Sequence, residues 1–181
     1  MNILVTGAVG FIGFSLCESL IKKKHKVFGI DNFDTYYSIE IKKKRLKILN
    51  KNKNFYFKKI DITQRSGLFN FFKKKKIDII IHLAAQAGVR YSLINPKKYV
   101  DVNILGFLNI IELAKEKKIK KFIYASSSSV YGDNKKFPLS ENQSLNPKNI
   151  YGLSKQMNEQ IASMYSKFFD LKCIGLRFFT I

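Results

Sequence analysis

The chain has 181 residues, 46% of them hydrophobic and 14% aromatic, which fits one globular domain and excludes a disordered chain. Its formal net charge is +20, but lysine in short scattered runs supplies most of it and only four residues are arginine, so we expect no nucleic-acid partner. No apolar run reaches the roughly 20 residues that cross a bilayer, and no cleavable leader is evident, so we expect a cytoplasmic protein without a membrane partner.

Short apolar runs alternate with longer helical patterns along the chain. The runs, rich in Ile, Val and Phe, predict buried strands at Ile3–Val5, Lys26–Ile30, Phe55–Phe57, Ile77–Leu83, Lys121–Ala125 and Lys172–Leu176. The intervening patterns predict helices at Phe11–Lys22, Ile39–Leu49, Gly67–Lys75, Pro96–Lys117 and Asn149–Phe169. This alternation predicts an α/β fold: a Rossmann-like doubly wound parallel sheet with helices on both faces and strand order 3-2-1-4-5-6, as one domain over residues 1–181.

A glycine-rich turn, VTGAVGFIG, follows the first strand, with Gly7, Gly10 and Gly13 spaced GxxGxxG. We expect Gly7 to permit the turn, Gly10 to let the backbone approach a pyrophosphate, and Gly13 to allow close helix–strand packing. The start of the next helix offers free N–H groups and a partial positive charge to the phosphates. The stretch therefore predicts a dinucleotide site, the alternative being an ordinary glycine-rich turn.

Acidic residues follow the second and third strands. Asp31 and Asn32 lie at the end of the second strand, 18 residues past the last of these glycines, where an acid binds the ribose 2′-hydroxyl. A carboxylate there repels a 2′-phosphate and so favours NAD over NADP, although a turn aspartate is the alternative. Asp61 and Ile62 follow the third strand, where they would meet the adenine.

Several side chains in apolar patterns are interpreted as core. His82 lies within the fourth strand and is predicted to be a buried core histidine, while Ala84 and Ala85 after it leave room for a cofactor across the sheet. Cys17 and Cys173 lack the spacing of metal ligands. We therefore expect two buried thiols and no metal site.

The catalytic candidates lie in the last third of the chain. Tyr151 and Lys155 form YxxxK, and positions i and i+4 share one face of a helix. A lysine ammonium beside a tyrosine lowers a phenol pKa that starts near 10, which makes a base suited to a sugar hydroxyl. An exposed helix pair is the alternative. A serine from the run at 126–129 would bridge the substrate and Tyr151.

Together these motifs resemble the extended short-chain dehydrogenase/reductases. The resemblance rests on GxxGxxG, DN after the second strand, LAA after the fourth, SSSSVYG and YxxxK. Within that family the chain is similar to the NAD-dependent nucleotide-sugar 4-epimerases, and most to the UDP-glucuronate 4-epimerases, through DNFDTYYSIEIKKKRL, HLAAQAGVRYS and LRFFT.

The resemblance implies a role for each matching residue. Tyr151 would be the catalytic base and acid, Lys155 would lower its pKa and hold the nicotinamide ribose, and Ser127 would be the catalytic serine. The residues implied to bind NAD are Gly7, Gly10, Phe11, Ile12, Gly13, Asp31, Asn32, Asp61, Ile62, Leu83, Ala84, Ala85, Tyr151 and Lys155. Those implied to contact the sugar are Ser127, Ser128, Arg90 and Thr180, although Arg90 would equally suit an exposed loop.

The resemblance also implies the reaction. Transient oxidation and re-reduction at C4 would convert UDP-glucuronate to UDP-galacturonate, with UDP-glucose as the alternative substrate. Family dehydratases carry an Asp-Glu pair, and decarboxylases a Glu, where this chain has Ser128 and Ser129, which favours epimerisation.

Family members continue beyond the last residue of this chain with a substrate domain. We therefore expect an N-terminal portion that binds NAD weakly and turns over little, or an inactive NAD-binding fragment. The full-length protein would be a homodimer through Pro96–Lys117 and Asn149–Phe169.

Overall fold

The structure, a computed structural model, describes residues 1–134 and 136–180. The strands are β1 (Asn2–Thr6), β2 (Lys26–Asp31), β3 (Phe55–Lys59), β4 (Ile79–His82), β5 (Lys121–Ser127) and β6 (Lys172–Phe178). The helices are α1 (Phe11–Lys22), α2 (Ile39–Leu49), α3 (Arg65–Phe72), α4 (Val89–Ile94), α5 (Pro96–Tyr99), α6 (Phe107–Glu116) and α7 (Ile150–Phe168). A π-helix (Val100–Gly106) lies between α5 and α6, and a 3-10 helix (Ser128–Tyr131) follows β5.

The six strands form one parallel sheet in the order β3-β2-β1-β4-β5-β6. This confirms the predicted Rossmann-like α/β fold and its strand order. In the register, Leu4 of β1 lies beside Phe28 on one side and Ile80 on the other. Because the chain winds outward in both directions from β1 and β4, a crevice opens at the carboxyl ends of these strands.

Alternate residues of each strand enter two separate cores. Leu4 and Ile80 pack with residues of α3 and α6 on one face. Ile3 and Val5 pack with residues of α1 and α2, Cys17 among them, on the other face. A sheet covered on both faces explains why its strands carry continuous apolar runs, since no side of the central strands meets water.

Two helical predictions need correction. The expected helix Pro96–Lys117 is divided into α5, the π-helix and α6. The hydrophobic pattern runs through all three, so it did not reveal the change of winding. The pattern also missed α4, a six-residue helix that follows Gly88. The predicted Gly67–Lys75 begins and ends earlier, as α3, and leaves its lysine-rich end in a turn.

The residues interpreted as core are mostly buried. Cys17 is fully buried and burial raises the pKa of its thiol to about 12, whereas Cys173 is only half-buried, because it lies on the edge strand β6. Lys42, one member of a short lysine run, is buried. Within the described ranges no helix is long and apolar enough to cross a membrane.

His82 is a core histidine, as predicted. It is buried, and burial lowers the pKa of its imidazole to about 3, so the ring is neutral at physiological pH. The Thr6 hydroxyl accepts the backbone N–H groups of Leu83 and Ala84 at 3.1 and 3.0 Å. Its own hydrogen is therefore donated to Nδ1 of His82, 2.8 Å away, which leaves the ring proton on Nε2. This bond joins β1 to β4 at the crevice.

Candidate active site

A cavity of about 560 Å³ lies in the crevice at the carboxyl edge of the sheet. It extends from the glycine-rich turn and α2 at one end to α7 at the other. The predicted residues that line it are Gly7, Gly10, Phe11, Ile12, Gly13, Asp31, Asn32, Ile62, Leu83, Ala84, Ala85, Ser127, Tyr151 and Lys155. Most of the candidates named from the sequence are thus brought together, although they come from both ends of the chain.

The glycine-rich turn is too tight for side chains. Gly7 has φ of +67°, and a Cβ atom there would lie 3.0 Å from the backbone nitrogen of Ala84. A Cβ atom on Gly13 would lie 2.0 Å from the carbonyl oxygen of Gly7. The first turn of α1 therefore packs directly on the turn that follows β1, and its residues Phe11, Ile12 and Gly13 line the cavity. The first N–H groups of a helix have no partner within the helix and are available to a ligand. This cradle fits the diphosphate of a dinucleotide.

Asp31 and Asn32 lie at the glycine-rich end of the cavity. Oδ1 of Asp31 accepts the N–H of Phe33 at 2.8 Å and lies 3.6 Å from Nζ of Lys42. The side chain of Asn32 donates to Oδ2 of Asp61 at 2.9 Å. Asp61 itself does not line the cavity. It holds Asn32 in place through this hydrogen bond, whereas the sequence predicted that Asp61 itself would meet the adenine.

Asp61 is ionised at neutral pH. Burial raises the pKa of its carboxyl, but hydrogen bonds from Asn32 and Thr63 outweigh burial and leave the pKa below its ordinary value. The Thr63 contacts come from both the backbone nitrogen and the hydroxyl, at 2.9 and 2.7 Å. A charged Asp61 is thus a fixed support for the strand ends around it.

Tyr151, Lys155 and Ser127 meet at the other end of the cavity. Lys155 is 3% exposed, and its Nζ donates to the carbonyl oxygen of Ala125 at 2.9 Å. Burial lowers the pKa of Lys155 to about 8. Its Nζ lies 6.0 Å from the centre of the Tyr151 ring.

The expected direction of the Tyr151 pKa needs correction. Burial raises the pKa of the phenol, and a hydrogen bond with Ser127 opposes this only in part. The lysine ammonium is tied to a backbone carbonyl instead of the phenol oxygen. Tyr151 is therefore a neutral phenol in the structure at neutral pH, and Ser127, the serine that the sequence indicates as its partner, lines the same cavity.

A network that the sequence did not indicate supports this end of the cavity. The Ser126 hydroxyl donates to Oε1 of Glu159 at 2.5 Å, and Glu159 receives Nε and Nη2 of Arg177 at 2.9 and 2.8 Å. Arg177 also donates to the Tyr131 hydroxyl at 2.9 Å. The network joins β5, β6, α7 and the 3-10 helix behind Ser127. Its only sequence signal is that Glu159 lies one helical turn beyond Lys155.

Three predicted sugar contacts lie outside the cavity lining. Arg90 is exposed in the first turn of α4, and Thr180 is exposed beyond the end of β6. Ser128 is half-buried and begins the 3-10 helix, where the chain turns away from β5. The structure does not bring these residues to Tyr151, and their contacts with a sugar stay predictions.

Four residues of one helical face line the cavity without having been predicted: Ser38, Ile41, Lys42 and Arg45. Their spacing of three and four residues places them on the same side of α2. Ser38 caps the helix, since its hydroxyl accepts the N–H of Ile41. The spacing is visible in the sequence, but a face turned toward a ligand has the same spacing as one turned toward the core.

Comparisons with known proteins agree with the fold. Residues 4–181 match the family model described as GDP-mannose 4,6 dehydratase. A probable UDP-glucuronate 4-epimerase of Rhizobium meliloti is 40% identical over 100% of the chain and 53% of its own length.

Two solved structures are similar in fold and sequence. The UDP-glucuronic acid 4-epimerase from Bacillus cereus, in complex with UDP-glucuronic acid and NAD, superposes with a TM-score of 0.89 at 38% identity, covering 99% of this chain and 57% of that one. The UDP-Glc/GlcNAc 4-epimerase of Campylobacter jejuni gives 0.89 at 31% identity, covering 98% and 53%. The chain thus spans about half the length of the relatives it matches.

Proposed function

The chain belongs to the family described as GDP-mannose 4,6 dehydratase, and on that premise we propose that it serves the NAD-dependent 4-epimerisation of a UDP-sugar, UDP-glucuronate to UDP-galacturonate. One observation carries the proposal: Ser127, Tyr151 and Lys155 line the same cavity as the glycine-rich turn. A cavity that unites a dinucleotide cradle with a tyrosine positioned for proton transfer suits oxidation and re-reduction of a hydroxyl.

The residues of the cavity fit NAD. The glycine-rich turn and the first turn of α1 would hold its diphosphate, Asp31 and Asn32 its adenosine ribose, and Lys155 its nicotinamide ribose. Ala84 and Ala85 leave the space across the sheet that the dinucleotide needs. When bound, NAD supplies the acceptor and then the donor of a hydride.

This chain's own residues would move the proton. Tyr151 would first release its phenolic proton to solvent. The phenolate oxygen would then accept the proton of the sugar C4 hydroxyl as C4 is oxidised, and return it as C4 is reduced on its other face. The Ser127 hydroxyl, which lines the cavity with Tyr151, would orient the sugar hydroxyl. Lys155, kept at its place by the Ala125 carbonyl, would stabilise the phenolate that forms.

Epimerisation is favoured over dehydration, although the family model takes its description from a dehydratase. Elimination of water requires an acid near the sugar, and the resemblance puts it at the positions of Ser128 and Ser129. Among the described residues, the carboxylates that line the cavity are Asp31 and Asp34. Asp31 accepts a backbone N–H and Asp34 pairs with Lys98 at 2.8 Å, so neither is left to protonate a leaving group.

UDP-glucuronate is favoured over UDP-glucose as the substrate. The Rhizobium and Bacillus proteins whose names carry glucuronate are 40% and 38% identical to the chain, against 31% for the Campylobacter UDP-Glc/GlcNAc enzyme. UDP-glucose remains the second candidate. The third candidate is an NAD-binding module without turnover.

The test has two stages. Titration calorimetry of the purified chain with NAD is expected to show binding, and Tyr151→Phe is expected to retain it, since that change removes one oxygen. Incubation with NAD and UDP-glucuronate, followed by chromatographic separation of the two uronates, is then expected to show product with the parent chain and none with Tyr151→Phe.

The outcomes separate the candidates. Turnover of UDP-glucose without turnover of UDP-glucuronate would support the second candidate. NAD binding without any product would support the NAD-binding module. Failure to bind NAD at millimolar concentration would contradict all three.

We also propose an assembly and a location for the protein. A homodimer through α6 and α7 is consistent with the exposed apolar residues Leu105, Leu108, Leu153 and Met164 along these helices and the adjoining π-helix. Cytoplasmic location is consistent with the two free thiols, because oxidising compartments favour disulfides. Sedimentation of the chain would test the first of these.

A further inference from the structure

Two cations line the cavity beside Asp31. Lys42 is 8% exposed, and its Nζ lies 3.6 Å from Oδ1 of Asp31 and donates to the carbonyl oxygen of Asp34 at 3.1 Å. Arg45, one turn further along α2, donates to the carbonyl oxygen of Val9 at 3.3 Å. Both side chains are therefore held in place by backbone oxygens and line the cavity with Asp31.

At this end of the cavity a single carboxylate opposes the two cations Lys42 and Arg45. Two carboxylates, Asp31 and Asp34, line the cavity, and Asp34 already has its own cation, Lys98, at 2.8 Å. Asp31 is then the only lining carboxylate left to oppose Lys42 and Arg45. A buried carboxylate requires such compensation, because desolvation of an unpaired charge is costly.

From these contacts we propose that Lys42 and Arg45 form a latent binding site for a 2′-phosphate, and that the charge of Asp31 alone closes it. The inference rests on the proposed function, which places the adenosine ribose of NAD at Asp31. A phosphate on the 2′-oxygen would approach the Asp31 carboxylate and be repelled. With that charge removed, the same phosphate would lie next to Lys42, within reach of Arg45 from the same helix face. Lys42 and Arg45 are thus specificity-determining residues, and NAD preference depends on one side chain.

Asp31→Asn isolates the charge. The amide oxygen of asparagine can still accept the N–H of Phe33, which Oδ1 of Asp31 accepts at 2.8 Å, so the turn after β2 keeps its hydrogen bond. Asp31→Ser, which also offers an acceptor but occupies less space, is the second variant. Glu40→Gln, on exposed α2 surface outside the cavity lining, changes the net charge equally and is the matched control.

The experiment measures binding of adenosine 2′,5′-bisphosphate and of 5′-AMP to each purified variant by calorimetry, after thermal unfolding has shown that the variant folds. The parent chain is expected to prefer 5′-AMP. Asp31→Asn is expected to gain about tenfold or more in affinity for the bisphosphate, as two charge-assisted hydrogen bonds form. Adding Lys42→Met or Arg45→Met to Asp31→Asn is expected to abolish most of that gain, and Glu40→Gln alone is expected to produce none.

A folded Asp31→Asn or Asp31→Ser variant that binds 5′-AMP without any gain for the bisphosphate would overturn the inference and leave the proposed function intact. So would a gain that persists in both methionine double variants. A parent chain that binds neither nucleotide would overturn the proposed cofactor site, and the inference with it.

Discussion

The ammonium group of Lys155 is buried, and its Nζ donates a hydrogen bond to the carbonyl of Ala125. Burial disfavours the charged form and lowers its pKa to about 8, well below the ordinary value of 10.5. The unfolded chain therefore binds more protons at this residue than the folded chain does. Lys155 destabilises the fold below about pH 8, and this cost is lost as the pH rises toward 10.5. A residue kept at such a cost is typical of a functional site.

Lys155→Met is accordingly expected to stabilise the protein. At pH 7 the variant should gain on the order of 1–3 kcal/mol in the free energy of unfolding, since the methionine keeps the apolar stem and removes the buried charge. The gain should shrink as the pH rises from 7 to 10. Urea unfolding at both pH values measures it, with exposed Lys167→Met on the same helix as the control. A variant less stable than the parent chain at pH 7 would contradict the cause assigned here.

The sequence predicted which residues form this site better than it predicted the pKa of Tyr151. YxxxK on a helix predicted that Tyr151 and Lys155 share a face, and both line the cavity. The direction of the Tyr151 pKa could not be predicted, because it depends on burial and on where the lysine nitrogen is bonded. Neither is a property of residue spacing.

Among the secondary-structure elements, the π-helix has a specific structural role. Its wider turn holds Asn103 against the loop after β4, where Oδ1 accepts the N–H of Gln86 at 2.7 Å and Nδ2 donates to the Gln86 carbonyl at 3.0 Å. Nδ2 also bonds the hydroxyl of Ser154 in α7, and the Asn103 carbonyl accepts Nδ2 of Asn158 at 2.6 Å. One buried asparagine thus ties the loop after β4 to the helix that carries Tyr151 and Lys155.

Asn103→Ala would leave both backbone groups of Gln86 buried without these partners. We expect a loss of about 2–4 kcal/mol in the free energy of unfolding, because each unsatisfied buried group carries its desolvation penalty. Asn70→Ala, at an exposed position of α3, should change it by less than about 0.5 kcal/mol. Urea denaturation of both variants provides the comparison. Equal effects from the two substitutions would show that the buried network contributes nothing.

For helix α2 the sequence predicted the bounds but not the surroundings of its side chains. Its bounds, Ile39–Leu49, agree with the prediction, since its caps and periodicity are local properties of the sequence. That Lys42 is buried and that Arg45 lines the cavity could not be predicted, because both depend on how α2 packs in the folded chain. Runs of lysine usually face solvent, and here one member of the run does not.

For the molecule as a whole, the largest electrostatic contribution to stability comes from the net charge of +20. Among the described residues the ion pairs are few, and several of them, such as Lys43 with Glu40 and Lys97 with Asp101, are exposed. Exposed pairs contribute little, whereas a large net charge destabilises a compact state through self-repulsion. The fold must therefore be stabilised mainly by its two apolar cores.

Salt should stabilise this protein. Raising NaCl from about 20 to 200 mM is expected to raise the melting temperature by about 2–5 °C, because counterions screen the repulsion among lysines. A variant with Lys22→Gln and Lys23→Gln, both exposed, should show a higher melting temperature at low salt and a weaker salt dependence. Thermal unfolding followed by circular dichroism measures both. A melting temperature that falls with salt would show that attractive pairs outweigh the net charge.

The whole topology was predictable because it follows from few rules. Buried parallel strands separated by helices must cross over with one hand, which leaves little choice of strand order. The winding of residues 96–117 was not predictable, since an inserted residue in a π-helix shifts the helical face without removing its apolar pattern. The order of the strands was therefore easier to infer than the π-helix beside the site.

The bond between Thr6 and His82 marks a boundary between two sets of ligand-facing residues. On one side of this bond, residues such as Asp31 on β2 face the end of the cavity that suits adenosine. On the other side, residues such as Tyr151 on α7 face the end that suits the sugar. We expect substitutions on one side of this seam to leave the backbone of the other side unchanged. The fold thereby allows cofactor preference and substrate chemistry to evolve as separate traits within a single domain.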